Sequence, residues 1–349
     1  MNGDRAGDPL ISVVMAAYRG APWIAGTIAS LGAQTMPDFE IVVVDDGSPD
    51  DTVAVLEAIR EPRLRILRAP CNGGPAVART IAMDHARGRF IAGLDQDDLC
   101  RPDRFARQLA YLDARPEVAL VTSTIEMFGD GASRPDPFAT LSAPDAIDWT
   151  MTMLNPLAWS TVLMRGEAAR ALVPFQRDER RFAEDFDLYQ RIRAFGRIGR
   201  IVEPLVRYRV HPGGASQAFE DKMITAAARV LTDRYQGLFG DDARDMAAAL
   251  LMSRHASAGY PPADAGTLRA CGAVLGTLLA AYGGIAPDHA GPSAAATWWR
   301  IARAGLRAGR YGVHAMMRAR PAFLGEGDPL DRFTARDAAL GVARRIFRR

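Results

Sequence analysis

The sequence predicts an α/β fold, with a mostly parallel sheet flanked by helices and a helical C-terminal region. Three observations predict it. Short apolar, β-branched runs alternate with segments of helical spacing over the first hundred residues. Polar clusters follow the ends of the predicted strands, where ligands bind in parallel sheets. From about Phe219 onward the apolar spacing is helical throughout.

The first half of the chain has the order expected of βαβ units. The predicted strands are Leu10 to Met15, Ile41 to Val44, Arg63 to Leu67 and Phe90 to Leu94. The predicted helices between them are Ala21 to Ala33, Thr52 to Ile59 and Ala76 to Ala86. Because the strands of such units are parallel and their crossovers are right-handed, the carboxyl ends of the strands should meet at one edge of the sheet.

The pattern changes beyond Thr122. The predicted elements are an irregular loop at Ser133 to Pro144, helices at Asp145 to Leu154 and Asp185 to Phe195, and strands at Ser160 to Met164 and Ile198 to Val210. The later helices are predicted to break at Tyr260-Pro261-Pro262 and at Gly283 to Pro292. We therefore divide the chain into an extension (1–9), a first domain (10–218, with halves 10–122 and 123–218) and a helical region (219–349).

Composition excludes several classes of protein. With 349 residues, 48% hydrophobic and 24% charged, the chain is neither disordered nor fibrous. Its 3 cysteines are too few and too far apart for a disulfide framework or a zinc ribbon, which predicts a reducing compartment. Met1 to Pro9 lacks an apolar stretch, and Ala270 to Tyr282 is shorter than the roughly 20 residues that span a bilayer. We expect a cytoplasmic protein.

Basic residues are concentrated at the C-terminus. Residues 297–349 hold 12 arginines and 4 acidic residues, including Arg300, Arg303, Arg307 and Arg310 after Trp298-Trp299. Two interpretations stay open: the rings lie at a membrane interface with the arginines against anionic lipid, or the rings pack against the first domain. No aromatic-interleaved basic motif indicates nucleic-acid binding.

Three strand ends carry the polar clusters. They are Ala16-Ala17-Tyr18, Asp45-Asp46-Gly47-Ser48 and Asp95-Gln96-Asp97-Asp98. Any one of them alone would be interpreted as a turn or a helix cap. Together they place five carboxylates at one edge, and such carboxylates repel one another unless a cation joins them.

These segments resemble the inverting family 2 glycosyltransferases of the GT-A fold, a Rossmann-like mixed sheet flanked by helices. The resemblance covers roughly residues 10–215 and extends to Asn72-Gly73-Gly74, Ala78-Arg79, Glu184-Asp185-Phe186-Asp187-Leu188 and Tyr208-Arg209-Val210-His211. It implies a nucleotide-sugar donor lying across the strand ends.

The resemblance implies roles for the donor-binding residues. Ala16 and Tyr18 would contact the base, Asp46 would accept the ring N–H of uracil, and Asp45 would support Asp46. Arg79 would neutralise the diphosphate or hold the base, because a guanidinium matches phosphate geometry. Gln96, between the two aspartates of the Asp-x-Asp signature, belongs to the same donor-binding set.

It also implies a metal and a base. Asp97, with Asp95 and His211, would hold Mn²⁺ or Mg²⁺, and Asp95 would also face the ribose and the sugar. Asp185 would take the proton of the acceptor hydroxyl, and Glu184 would orient the acceptor or the loop. Asp185 can equally be interpreted as a helix N-cap, and one residue could serve both purposes.

The implied function is metal-dependent transfer of a sugar, with inversion, from a nucleotide-diphosphate donor to a hydroxyl of a glycan or lipid-linked glycan. A UDP-sugar and bacterial surface polysaccharide assembly are favoured. Arg19, Thr80 and Ala82 depart from the usual family pattern without removing a catalytic group. A nucleotidyltransferase would need a Gly-rich basic loop after the first strand. A non-catalytic nucleotide-binding or interaction module remains the main alternative.

Overall fold

The computed structural model describes residues 7–129, 133–214, 218–255, 260–325, 340–342 and 344. The chain divides into two compact units. The first comprises Met1–Ile147 and Pro156–Ala218, and the second comprises Asp148–Asn155 and Phe219–Arg349. Residues 1–6 of the predicted extension and most of the basic tail beyond 325 lie outside the described residues.

The elements up to residue 218 alternate between strand and helix. Their strands are β1 (Ile11–Ala17), β2 (Phe39–Asp45), β3 (Leu64–Arg68), β4 (Phe90–Gly93), β5 (Leu99–Cys100), β6 (Val118–Phe128), β7 (Arg134–Pro135), β8 (Leu163–Arg165) and β9 (Arg197–Arg209). Their helices are α1 (Ile24–Gly32), α2 (Thr52–Ala58), α3 (Pro75–Asp84), α4 (Arg104–Asp113), α5 (Pro144–Thr150), α6 (Gly166–Ala171) and α7 (Glu184–Ile192). Short 3₁₀ turns lie at Trp159–Thr161 and Asp178–Arg180.

The sheet is mixed, as the family resemblance implies. Its order is β3-β2-β1-β4-β8-β6-β9-β5, with β7 paired to β6. The four strands from β3 to β4 are parallel, whereas β8 runs antiparallel to both β4 and β6. The prediction of a mostly parallel sheet therefore holds only for the first half of the chain.

Register brings the predicted polar clusters to one edge. Ala17 at the end of β1 lies opposite Asp45 at the end of β2, and Val14 lies opposite Gly93 at the end of β4. Both β1 and β2 are buried along almost their whole length, which explains why they read as continuous apolar runs rather than alternating ones.

The pattern of the sequence did not reveal β6 as a long strand. Its middle carries Thr122, Ser123 and Thr124, which look like loop residues but are fully or almost fully buried. Their hydroxyls find partners inside the fold: Thr122 pairs with the Thr161 hydroxyl, and Thr124 donates to the carbonyl of Val202. Tertiary hydrogen bonds thus offset the cost of burying polar side chains in a central strand.

The described residues after 218 are mainly helical, as predicted. Its helices after residue 218 are α8 (Glu220–Phe239), α9 (Ala243–Arg254), α10 (Ala265–Tyr282), α11 (Pro287–Arg307) and α12 (Val313–Arg318). The predicted break over Gly283 to Pro292 is too long, because α11 already begins at Pro287 and continues through Pro292.

Two expectations about membranes change with these helices. Trp298 and Trp299 are 0% and 2% exposed and pack edge to face on each other, so the rings do not lie at a surface, while their packing against the first domain stays a prediction. One stretch, Ala265–Ile285, is long and apolar enough to cross a membrane by length and composition, contrary to the sequence estimate. A core helix of a soluble protein passes the same test, so this is weak evidence for a span.

Candidate active site

Asp97 and His211 meet at the sheet edge, although 114 positions separate them in the chain. Asp97 Oδ2 lies 3.0 Å from His211 Nε2, and each side chain is 20% exposed. The antiparallel pairing of β5 with β9, in which Leu99 lies opposite Arg207, brings the two segments together. Two of the three predicted metal ligands, Asp97 and His211, therefore lie in contact and accessible to a ligand.

Buried contacts hold this pair in place. Asp98 is 1% exposed and its Oδ1 accepts the backbone N–H of Arg209 at 2.7 Å. The guanidinium of Arg209 donates to the carbonyl of Asp97 at 2.9 Å. Burial, and then the charges of Asp97 and Asp95, raise the pKa of Asp98 well above its usual value. Asp98 is a structural residue here.

The donor set fits a divalent cation shared with a substrate. Within the described part of the chain, no group of three or more His, Cys, Asp or Glu side chains forms a ready-made metal site. Asp97 and His211 supply one oxygen and one nitrogen. Mg²⁺ and similar ions commonly take one or two protein ligands and complete their shell with phosphate oxygens and water.

Arg79 sits among carboxylates at the inner side of the same edge. Its Nη2 lies 2.5 Å from Asp95 Oδ1 and its Nη1 3.5 Å from Glu184 Oε1. Its guanidinium lies 4.7 Å from the centre of the Trp159 ring, and the residue is 7% exposed. Asp95 is thus engaged by Arg79, while contacts of either residue with a metal, ribose or diphosphate stay predictions.

Asp185 has the electrostatics of a base that works near neutral pH. Burial and the neighbouring Glu184 raise the pKa of Asp185 to about 7, although Arg79 and the N–H of Phe186 act in the opposite direction. The Phe186 N–H donates to Asp185 Oδ1 at 2.7 Å. A general base is most effective when its pKa lies near the working pH.

The N-cap interpretation of Asp185 is wrong. Helix α7 begins at Glu184, its N-cap is Ala183, and no side chain caps it. Asp185 instead lies in the first turn, where the helix dipole favours a negative charge.

The carboxylate of Asp187, also in the first turn of α7, is engaged in ion pairs. It is 3% exposed and its carboxylate lies 2.7 Å from Arg191, 3.5 Å from Arg177 and 3.9 Å from Arg180. A carboxylate surrounded by three guanidiniums anchors the segment before α7 rather than accepting a proton.

Gln96 fixes the loop that carries Tyr18. The backbone N–H of Tyr18 donates to Gln96 Oε1 at 3.0 Å, and Gln96 Nε2 donates to the Tyr18 carbonyl at 2.9 Å. A Cβ at Gly20 would collide with the same amide, which explains the glycine there. The ring of Tyr18 is 39% exposed, and Ala16 beside it is half-buried. Gln96 thus fixes the loop that carries Tyr18 by hydrogen bonds to the backbone of that loop.

Asp46 organises the start of α3. Its two carboxylate oxygens accept the backbone N–H groups of Gly73 at 2.9 Å and Gly74 at 2.8 Å. Burial raises the pKa of Asp46, and the two amides oppose that change. Asp45 accepts the N–H of Ser48 at 3.2 Å. Asp46 is only 2% exposed, so its predicted contact with uracil would have to use the remaining lone pairs.

Several residues of the site escaped sequence reasoning. Trp159 and Tyr189 are buried beside Arg79 and Asp185, and neither the Trp159 indole N–H nor the Tyr189 hydroxyl has a hydrogen-bond partner within the described residues. No spacing rule marks these two residues. Arg209 lies within a quoted motif, Tyr208-Arg209-Val210-His211, and its position next to the predicted histidine was the available signal.

Part of the chain matches a known protein family and several curated relatives. The family model described as glycosyl transferase family 2 matches residues 12–155. The succinoglycan biosynthesis protein ExoO of Rhizobium meliloti is 45% identical over 106 residues, 30% of each chain. The putative teichuronic acid biosynthesis glycosyltransferase TuaG of Bacillus subtilis is 30% identical over 158 residues, 45% of this chain and 62% of that one.

Solved structures share the fold at low identity. TarS 1–349 of S. aureus in complex with UDP-GlcNAc matches with a TM-score of 0.58 and 18% identity, over 97% of this chain and 91% of that one. The mannosyltransferase PcManGT of Pyrobaculum calidifontis, in complex with GDP-Man and Mn²⁺, matches with a TM-score of 0.52 and 21% identity, over 84% and 86%. The match over residues 12–155, the curated relatives and the fold shared with TarS together support a relationship of this chain to glycosyl transferase family 2.

Proposed function

We propose that the protein transfers a sugar, with inversion, from a nucleotide-diphosphate donor to a hydroxyl of a glycan or lipid-linked glycan, and that it needs Mn²⁺ or Mg²⁺. UDP is the favoured nucleotide. The observation that carries the proposal is the carboxyl of Asp185, whose pKa is raised to about 7 beside Glu184, Arg79 and Asp95. A buried carboxyl with a strongly shifted pKa beside several charged groups marks a candidate general base.

The proposed reaction uses these groups as follows. The acceptor hydroxyl gives its proton to Asp185 while its oxygen forms a bond to the anomeric carbon. The bond from that carbon to the diphosphate breaks, and the departing nucleoside diphosphate takes the electron pair. Because attack and departure occur on opposite faces, the configuration inverts. A divalent cation held by Asp97 and His211 would stabilise the charge of the leaving group.

The other residues hold this arrangement together. Arg79 forms ion pairs with both Asp95 and Glu184, so that the strand end after β4 and the first turn of α7 keep a fixed position relative to each other. Trp159 shields the guanidinium from water on one face, which strengthens the two ion pairs. Their role is to position Asp185 relative to the donor.

The relatives support the biological setting. ExoO and TuaG are named for succinoglycan biosynthesis and teichuronic acid biosynthesis, and TarS and PcManGT were solved with UDP-GlcNAc and with GDP-Man and Mn²⁺. We therefore propose a role in bacterial surface polysaccharide synthesis at the inner face of the cell membrane. Peripheral attachment would use arginines of α11 such as the exposed Arg300 and Arg307, and sedimentation with anionic vesicles at low salt tests it.

A panel of nucleotide-sugars tests the activity. We expect Mn²⁺-dependent release of the nucleoside diphosphate from one donor, detected by mass spectrometry, and the panel identifies the sugar. A protein that binds a nucleoside diphosphate but never turns over any donor, with or without simple glycan acceptors, would favour the non-catalytic module.

A further inference from the structure

The segment just before α7 carries three arginines, and one of them is used differently from the others. Arg177 and Arg180 both point to the carboxylate of Asp187. Arg181 is exposed, and within the described residues its guanidinium makes no hydrogen bond and no ion pair. An arginine with free donors next to a substrate site is available to a ligand.

Arg181 lies against the glycine turn that begins α3. A Cβ built on Gly74 would lie 3.1 Å from Cζ of Arg181 and 3.3 Å from its Nε. Gly74 also has φ +87°, a conformation that favours glycine. The guanidinium therefore packs on the peptide whose N–H donates to Asp46, and its charge reaches that carboxylate.

The surroundings of Arg181 favour a neutral acceptor over a phosphate. The amides at the start of α3, a common site for phosphate, are already occupied by the carboxylate of Asp46. A phosphate placed there would also face the negative charge of Asp46. A carbonyl oxygen carries no net charge and can accept from the guanidinium without that repulsion.

We propose that Arg181 binds the base of the donor, donating a hydrogen bond to a carbonyl oxygen of uracil beside the turn formed by Gly73 and Gly74. This inference rests on the proposed function, because it needs a nucleotide at this edge. Asp46, almost fully buried, then holds the turn and orients Arg181, and the exposed guanidinium makes the contact. Arg79, which the family resemblance places near the base or diphosphate, is engaged by Asp95 and Glu184 instead.

The test compares Arg181→Gln with a matched control, Arg89→Gln. Both arginines are exposed and lie over a neighbouring ring, Arg181 at 5.7 Å from Phe182 and Arg89 at 5.5 Å from Phe90. Arg89 precedes β4 and is therefore at the opposite edge of the sheet from the strand ends. Calorimetry with UDP and Mn²⁺ should show about ten-fold or more weaker binding for Arg181→Gln, the scale of one hydrogen bond from a charged donor, and no change for Arg89→Gln.

Thio-analogues separate the base from the diphosphate. Replacing a carbonyl oxygen of uracil by sulfur, in 4-thio-UDP or 2-thio-UDP, weakens that acceptor alone. One of the two analogues should bind the unmodified protein more weakly than UDP does. The same analogue should lose less affinity than UDP does when Arg181 is replaced by Gln, because the substitution and the sulfur remove the same hydrogen bond and their effects do not add. An equal loss for UDP and both analogues would place Arg181 on the ribose or diphosphate and overturn the inference.

Two further outcomes are distinguishable. Equal UDP affinity in Arg181→Gln and the unmodified protein would overturn the inference and leave the proposed function standing. Failure of the unmodified protein to bind UDP or any other nucleoside diphosphate would overturn both.

Discussion

At the scale of a single side chain, a substitution of Asp185 should distinguish nucleotide binding from sugar transfer. Asparagine is nearly isosteric with aspartate and cannot accept the proton, so Asp185→Asn should retain nucleotide affinity and lose transfer by about 10²–10⁴-fold. Calorimetry and a transfer assay on one preparation measure the two effects. The exposed Asp178, in the 3₁₀ turn before α7, supplies the control variant Asp178→Asn, for which transfer should be unchanged. Near-normal transfer by folded Asp185→Asn would remove it from the role of base.

The raised pKa of Asp185 predicts a pH profile. The base must be ionised, so the turnover rate should rise with pH through about 7 and level off above it. Glu184 and Asp95 raise the pKa of Asp185, Arg79 lowers it, and the Tyr189 hydroxyl lies in the same cluster. Glu184→Gln removes one repelling charge and should shift the midpoint to lower pH. Rates measured over about pH 5 to 9 check this, and a flat profile would contradict it.

The metal ligands differ in what they offer the cation. Asp97 brings a negative charge, whereas His211 brings a neutral nitrogen, so Asp97→Ala should abolish Mn²⁺-dependent affinity for the nucleoside diphosphate and His211→Ala should weaken it less. Calorimetry with and without Mn²⁺ reads both. Unchanged metal-dependent binding in Asp97→Ala would take Asp97 out of the site.

Among the elements, β2 carries a buried anchor that ties the sheet together. Glu40 is 3% exposed and accepts from Ser12 of β1 at 2.7 Å, Arg65 of β3 at 2.7 Å and the Arg87 guanidinium at 2.8 Å. Burial alone would raise the pKa of Glu40, but the hydrogen bonds from Arg87, Ser12 and Arg65 outweigh it and lower the pKa to about 2. This stabilisation is complete above the unfolded value of 4.5 and is lost as the pH falls toward 2.

Glu40→Gln should therefore lower the free energy of unfolding at neutral pH by about 1–3 kcal/mol. The difference from the unmodified protein should shrink as the pH falls from about 4.5 toward 2, because the native carboxylate is then protonated too. Glu57→Gln is the control, since Glu57 and its partner Arg68 are 57% and 60% exposed and such pairs contribute little. Denaturant titrations at several pH values measure both. A constant difference across that pH range would contradict the assignment.

At the scale of the whole molecule, the two units are interleaved in the chain. Asp148–Asn155 belongs to the second unit although it lies within the first in sequence. Trp149, Met151 and Met153 of this segment are 0–1% exposed, and the Thr152 carbonyl accepts the Tyr235 hydroxyl at 2.9 Å. Its apolar side chains therefore depend on residues beyond 218 for their burial.

A chain truncated after Ala218 should accordingly melt at a lower temperature than the full protein and aggregate, because the apolar side chains of Asp148–Asn155 lose the residues beyond 218 that bury them. Thermal unfolding followed by circular dichroism checks this. A truncated chain that unfolds at the temperature of the full protein would show that the first unit is independent of the second.

Tyr235→Phe in the full chain keeps the ring and removes one hydrogen bond, so about 1 kcal/mol of stability should be lost.

The sequence by itself determined the βαβ half of the molecule and the identity of the chemical groups. Residues Ile11–Ala17 and Phe39–Asp45 read as strands because a strand buried on both faces is continuously apolar, a local signal. The strand-end carboxylates were also visible from residue type and spacing along the chain, and the Glu184-Asp185 pair was recognised through the family resemblance. Periodicity failed at Thr122–Thr124, where buried hydroxyls mimic a loop.

Only the tertiary structure decided which of these groups act together. The contact of Asp97 with His211, the engagement of Arg79 by Asp95 and Glu184, and the packing of Arg181 on Gly74 all join segments far apart in the chain. Such contacts depend on strand register and helix docking, which sum many weak interactions and leave no local pattern. The pKa of Asp185 belongs to the same class, because burial and neighbouring charges are properties of the folded environment rather than of the residue.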